Sequence, residues 1–178
     1  ERWPSLNVIG MEPAVKPAAA QSRSGKIGVL ATTGTLRSAK FAALLERYCD
    51  QVKIFTQPCP GLVERIEAGE LSSAATRELL IGYVQPLLNA GCDSLILGCT
   101  HYPFIRPLLR EIVGQDIAII DTGAAVARRL QSLLSADELL ADAPEPTDCF
   151  YTTGSQDAMQ QALPVLWGSA IPVRELYV

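Results

Sequence analysis

The sequence predicts an α/β fold, a doubly wound parallel sheet forming one complete domain, with remnants of a second, similar domain at its ends. Three observations carry this expectation. Four short apolar runs, Ile27–Ala31, Val52–Thr56, Ser94–Leu97 and Ile117–Ile120, read as strands covered on both faces rather than as half-exposed ones. Segments between them repeat apolar residues at helical spacing. Each run is followed by a short stretch of Gly, Thr, Pro, Cys or Asp, and in such folds ligands bind beyond the carboxyl ends of the strands.

Taken in order, Leu6–Gly10 is a strand candidate, and Pro13 and Pro17 interrupt the segment after it. Ile27–Ala31 is bounded by Gly25 and by the Thr32–Thr35 turn. Ser38–Tyr48 predicts a helix, with Phe41, Leu44, Leu45 and Tyr48 on one side. Val52–Thr56 is the next strand. Ser73–Leu88 predicts a helix on the stripe Leu79, Leu80, Tyr83, Val84, Leu87, Leu88, and Pro86 is expected to kink it or end it early. Ser94–Leu97 lies between Gly91 and Gly98. Ile105, Leu108, Leu109 and Ile112 mark a helix, Ile117–Ile120 a strand and Ala124–Leu134 a further helix. Ala141–Thr147, with Pro144 and Pro146, reads as a linker, and Cys149–Thr152 and Val173–Tyr177 as strands of a second unit. The expected division is therefore 1–13 as a remnant of an N-terminal domain, 14–128 as the α/β domain, and 129–178 as a segment returning to the first.

Composition narrows the function classes. The 178 residues are 48% hydrophobic, enough for a sizeable core. Fifteen Lys and Arg against 19 Asp and Glu leave a net charge of −4, which argues against nucleic acid as a partner, because binding by counterion release needs a basic face. No run of 18 apolar residues is present, so no membrane span is expected. The opening residues lack the pattern of a secretion signal. Five widely spaced cysteines without a CxxC pair point to reduced thiols in a cytoplasmic setting.

The strand ends nominate four loops for one rim: Thr32–Thr35, Gln57–Gly61, Gly98–Pro103 and Asp121–Gly123. The third is the most informative. His101, the single histidine, lies two residues from Cys99. A thiol needs a cationic or hydrogen-bonding neighbour to ionise near neutral pH. Cys99 is therefore either a reactive thiol or a buried structural cysteine beside a helix-capping histidine. A zinc site is disfavoured by the lone histidine and the absence of paired cysteines. Thr32 and Thr35 offer hydroxyls to a small anion, or else satisfy their own backbone. Cys59, between two prolines, reads as a small buried hydrophobe. Cys49, Cys92 and Cys149 read as structural. Glu64, Glu67 and Glu70 recur every third residue, as on a solvated helix face, and Asp121 is placed to cap the next helix.

The motifs now on the page resemble a known family. Gly91–Asp93 followed by Leu97–Pro103 (LGCTHYP) is similar to the second catalytic motif of glutamate racemases. Gly28–Thr35 resembles the family's GTxGT turn, with Ala31 in place of the first glycine. Cys59–Val63 with Ile66–Gly69, then Asp121–Gly123, then Cys149–Gly154, resemble further segments in the same order. The Asp-Ser-Gly, Pro-Tyr-Gly and Cys-Asn-Thr motifs that such proteins carry upstream do not occur here. The resemblance thus implies the C-terminal portion of a racemase, lacking most of the N-terminal domain, with ends that are mobile, swapped or packed in a homodimer.

The resemblance implies interconversion of L- and D-glutamate without a cofactor, by two thiols on opposite faces of the α-carbon, supplying peptidoglycan synthesis. It implies Cys99 as the base facing the L enantiomer, His101 assisting its proton traffic, Glu67 polarising the pair, and Thr100, Thr32 and Thr35 holding substrate together with His101. It also implies that this chain alone is inactive, since one thiol cannot serve both faces. Aspartate or hydantoin racemization, a thiol-dependent hydrolase and a non-catalytic fragment remain the alternatives.

Overall fold

The computed structural model describes residues 7–141 and 148–177. Leu6 and the stretch 142–147 of the expected linker lie outside the described residues, and 7–10 carry no regular structure, so the expected first strand is not formed. The chain then runs α1 (Val15–Gln21), β1 (Lys26–Ala31), α2 (Thr33–Arg37), α3 (Ala39–Tyr48), β2 (Lys53–Pro58), α4 (Leu62–Glu67), α5 (Ala74–Asn89) and β3 (Ser94–Leu97). A 3-10 turn (Tyr102–Ile105) leads into α6 (Arg106–Val113), then β4 (Ala118–Ile120), α7 (Gly123–Ala136), β5 (Phe150–Thr152), α8 (Gln156–Leu166) and β6 (Val173–Glu175).

The first four strands form one parallel sheet in the order β2-β1-β3-β4. Side chains alternate between its two faces, and both faces are covered. Ile27, Val29, Ala31 and Ile96 meet α1 and α3 through Val15, Ala18, Phe41 and Leu44. Leu30, Leu95 and Leu97 meet α4, α5 and α6 through Ile66, Leu80, Val84, Leu87, Leu108 and Leu109. This two-sided burial explains why β1 and β3 show no hydrophobic alternation in sequence. β2 is an edge strand and is less buried, with Lys53 exposed and Ile54 and Phe55 half-buried against opposite faces. Gly28 sits where α5 crosses β1: a Cβ there would lie 2.8 Å from Leu87 Cδ1 and from Leu95 Cδ2. Its missing side chain lets helix and sheet close up.

Helix ends follow local chemistry. Thr32, Ser38 and Ser73 cap α2, α3 and α5, each accepting the N–H three residues on. Proline stops neither of two helices. Pro17 falls in the first turn of α1, where its missing N–H would have no helical partner anyway, so a helix forms across it. Pro86 lies three residues before the end of α5, and the helix runs through it to Asn89 rather than stopping.

β5 and β6 form a separate two-stranded parallel sheet joined by α8. Gln156 and Gln160 of α8 bind the β6 approach, donating to Val173 O at 2.7 Å and Ile171 O at 3.1 Å. Phe150 meets Trp167 edge-on at 5.4 Å. α8 reaches the larger unit through Val165, whose methyls cover Gly69, and through the half-buried Leu166. α7 differs from the other long helices in having no buried residue at all. No described helix is long and apolar enough to cross a membrane.

Candidate active site

The chain leaves β1 for β2 on one side and returns to β3 on the other. The carboxyl ends of β1 and β3 therefore diverge, and such a switch point opens a crevice. A cleft of about 430 Å³ lies there, lined by Thr32 and Thr35 after β1, by Leu97–Thr100 and Pro103 after β3, and by Asp121–Gly123 after β4. Three of the four expected loops share the rim. The fourth does not: Gln57–Gly61 contributes nothing to the cleft, and Cys59 is only 2% exposed in the core beneath Tyr102. The reason is position, because β2 lies on the far side of β1 from β3.

Cys99 faces the cleft and is half-buried. Its sulfur lies 3.9 Å from His101 Nδ1, and His101 Nε2 lies 3.0 Å from Glu67 Oε1. An ionised carboxylate can only accept, so in neutral His101 the Nε2 carries the proton and Nδ1 is left as the acceptor facing the thiol. The three residues thus form a chain from thiol through imidazole to carboxylate, the arrangement of an activated nucleophile or base. Thr100 Oγ1 is a second neighbour of Nδ1, at 3.5 Å. His101 caps no helix with its side chain, which removes the bland reading of that residue. Glu67 ends α4 and does not belong to a continuous acidic face. Gly69 adopts φ +75° just after it, and Glu70 turns aside to pair with Arg65.

Thr32 satisfies its own turn and also faces the cleft. Its hydroxyl accepts the Thr35 N–H at 3.2 Å as a helix cap and lies 2.9 Å from the Thr35 hydroxyl, while both residues line the cleft. Gly98 brings the cysteine loop against β1: a Cβ there would stand 3.0 Å from Leu30 O and 3.2 Å from Ala31 Cβ. Asp121 works one position further out than the expected cap. Thr122 holds the cap position, and Asp121 accepts the N–H of Gly123, the first residue of α7, at 2.9 Å. That helix N-terminus opens on the cleft and favours a carboxylate there.

The other thiols are differently placed. Burial pushes Cys59 up to about 12 and Cys92 up to about 11, so both stay protonated at neutral pH. Cys49 and Cys149 are exposed rather than structural. Of the five cysteines, only Cys99 lines the cleft. Among the described residues no three His, Cys, Asp or Glu side chains gather to hold a metal ion. Met11, Glu12 and Pro13 also line the cleft. The sequence assigned them to a different unit, and only the path of α1 across the sheet brings them here. Glu67 and His101 are 34 residues apart, and no spacing rule would pair them.

Several proteins of known family resemble this chain. A family model described as Asp/Glu/Hydantoin racemase matches residues 4–130. The chain is 62% identical over 176 residues to a glutamate racemase of Pseudomonas putida strain W619, covering 99% of this chain and 66% of that protein. It is 65% identical over 167 residues to the glutamate racemase of Pseudomonas putida strain KT2440, covering 94% and 63%. The chain therefore spans just under two thirds of the length of these relatives. Among solved structures, Escherichia coli glutamate racemase in complex with L-glutamate and an activator superposes with a TM-score of 0.78 at 29% identity, covering 94% of this chain and 64% of that one.

Proposed function

The chain belongs to the Asp/Glu/hydantoin racemase family, and from that premise we propose that it forms the part of a glutamate racemase that deprotonates L-glutamate. The observation that carries the reading is Cys99 at the cleft with His101 and Glu67 aligned behind it. In the forward direction His101 Nδ1 draws the proton from the thiol, and the thiolate takes the α-proton of L-glutamate. The electron pair left on the α-carbon spreads into the α-carboxylate, whose growing charge is held by Thr100, Thr32, Thr35 and the loop amides. A second acid then delivers a proton to the opposite face, giving D-glutamate. In reverse, the Cys99 thiol is the donor. The reaction draws on no cofactor.

Cys99 alone among the five cysteines lines the cleft, so the two-thiol scheme needs a second thiol that none of the other four brings to it. Residues 14–128 make up the domain carrying Cys99, and 1–13 and 129–178 belong to a second unit. The exposed apolar side chains Leu130, Tyr151 and Tyr177 support that division. By itself the 178-residue chain has negligible racemase activity. The whole protein works in the bacterial cytoplasm, supplies D-glutamate for peptidoglycan and forms a homodimer.

The test is racemization in deuterated solvent by the full-length protein. Both enantiomers should gain α-deuterium, and Cys99→Ser should lower conversion of L-glutamate by about 10³-fold or more. A Cys99→Ser protein keeping a tenth of the wild-type rate would sink the proposal.

A further inference from the structure

Arg106 opens α6, three residues after the cleft-lining Pro103, yet it does not itself line the cleft. Its guanidinium reaches across to the end of β4. One nitrogen donates to the Asp121 carboxylate and the other to Ile119 O at 2.7 Å. The second oxygen of Asp121 accepts the Gly123 N–H. Both carboxylate oxygens are thus committed, and the Asp121 side chain is only 17% exposed. A planar fork suits this double contact to a carboxylate and a carbonyl; an ammonium would make one contact or the other.

We propose that Arg106 is a positioning residue that ties the helix following the cysteine loop to the wall built by Asp121, Thr122 and Gly123, and so fixes the width of the cleft into which Cys99 opens. Cys99, Thr100 and Pro103 on one strand's loop and Asp121–Gly123 on the next are joined here by side chains as well as by the β3–β4 ladder. The ladder ends at Ile96 and Ile120. Beyond it, the Arg106 contacts carry the register of the two loops. The tie also neutralises a carboxylate on the rim of a site that, under the proposed function, takes an anionic amino acid. The width of the cleft does not depend on that function.

The experiment uses the full-length protein with Arg106→Met, which keeps the packing of the stem, and Arg106→Lys. Cys99 is labelled with iodoacetamide and with a bulky maleimide, and peptide mapping reads each rate at Cys99, with exposed Cys49 as the internal reference. The thiolate attacks both reagents, so the ratio of the two rates cancels any change in ionisation and reports access. The bulky-to-small ratio at Cys99 should rise about threefold or more in Arg106→Met and rise less in Arg106→Lys, whose ammonium keeps one of the two contacts. KM for L-glutamate should rise about tenfold in Arg106→Met, with kcat changed by less than about threefold. An unchanged ratio overturns the inference. So does a ratio that moves only together with the melting temperature in both variants, or an unchanged KM in a protein that racemizes. If the wild type shows neither racemization nor α-deuterium exchange while the ratio rises as stated, the functional reading fails and the role of Arg106 stands.

Discussion

Asp93 accepts a hydrogen bond from the hydroxyl of Ser22 at 2.8 Å, across 71 residues of chain. The same carboxylate takes the N–H groups of Arg23 and Ser24 at 2.6 and 2.7 Å and the Ser94 hydroxyl at 3.0 Å. It therefore pins the turn after α1 to the start of β3. Burial alone would raise this carboxyl, but the Ser24 N–H, the Ser22 hydroxyl, the Arg23 N–H and the Ser94 hydroxyl outweigh it and hold it down at about 2, from 3.8. A depressed carboxyl contributes stability that is present above its unfolded value and is lost as pH falls through its folded one. Stability from this site should be full above about pH 5, mostly lost by about pH 2 and gone below about pH 1, an effect of about 1–2 kcal/mol once solvent screening is allowed for. Urea unfolding across pH 2–6 checks it: Asp93→Ala should lower the midpoint at pH 6 and flatten the acid slope. An unaltered slope would refute the assignment.

Thiol chemistry separates the five cysteines by environment. Iodoacetamide at pH 7.5 should modify Cys49, Cys149 and Cys99 well before Cys59 and Cys92, because burial holds the last two at about 12 and about 11. Peptide mapping over time gives the order. Early alkylation of Cys59 would contradict the packing beneath Tyr102.

The imidazole–carboxylate pair has a specific signature. In Glu67→Gln the amide N–H₂ can donate to Nε2, which would put the proton on Nδ1 and remove the acceptor facing Cys99. We expect kcat/KM to fall by about 10²-fold, with Glu67→Asp retaining more. Steady-state kinetics decide it; a loss of under twofold would remove Glu67 from the proton path.

Two glycines should respond oppositely to one methyl group. Gly98→Ala places a Cβ 3.0 Å from the Leu30 carbonyl, a backbone atom that cannot swing away, and should cost about 1–3 kcal/mol as well as displacing the cysteine loop. At Gly82, inside α5, an added Cβ would meet nothing within 4 Å. Gly82→Ala should stabilise by about 0.5–1 kcal/mol. Thermal melts of the two variants give the comparison.

The sheet was legible in the sequence because β1 and β3 are buried on both faces, and continuous apolar runs report that directly. The helices were less legible where proline misleads. Pro17 and Pro86 are both tolerated near helix ends, and α8 escaped notice because Pro164 and three polar glutamines mask its single buried residue, Leu163. Cys99, His101 and the threonine turn could be found from the strand-end rule. Glu67 could be found only through resemblance, since contact between α4 and the cysteine loop is made by the packing of both against Tyr102 and Ile66. The Met11–Pro13 edge and the Arg106–Asp121 tie had no local signal, because each joins segments that meet only when the sheet is assembled.

The bareness of α7 has a kinetic consequence. Its fourteen residues bury no side chain, and a lone helix of that length is only marginally stable in water. Its amide protons should trade with solvent far faster than those of α5, where Leu80, Val84 and Leu87 are sealed in. The first turn of this rod also supplies Gly123 to the rim of the cleft. One boundary of the pocket is thus hung on a helix that no fully buried side chain anchors.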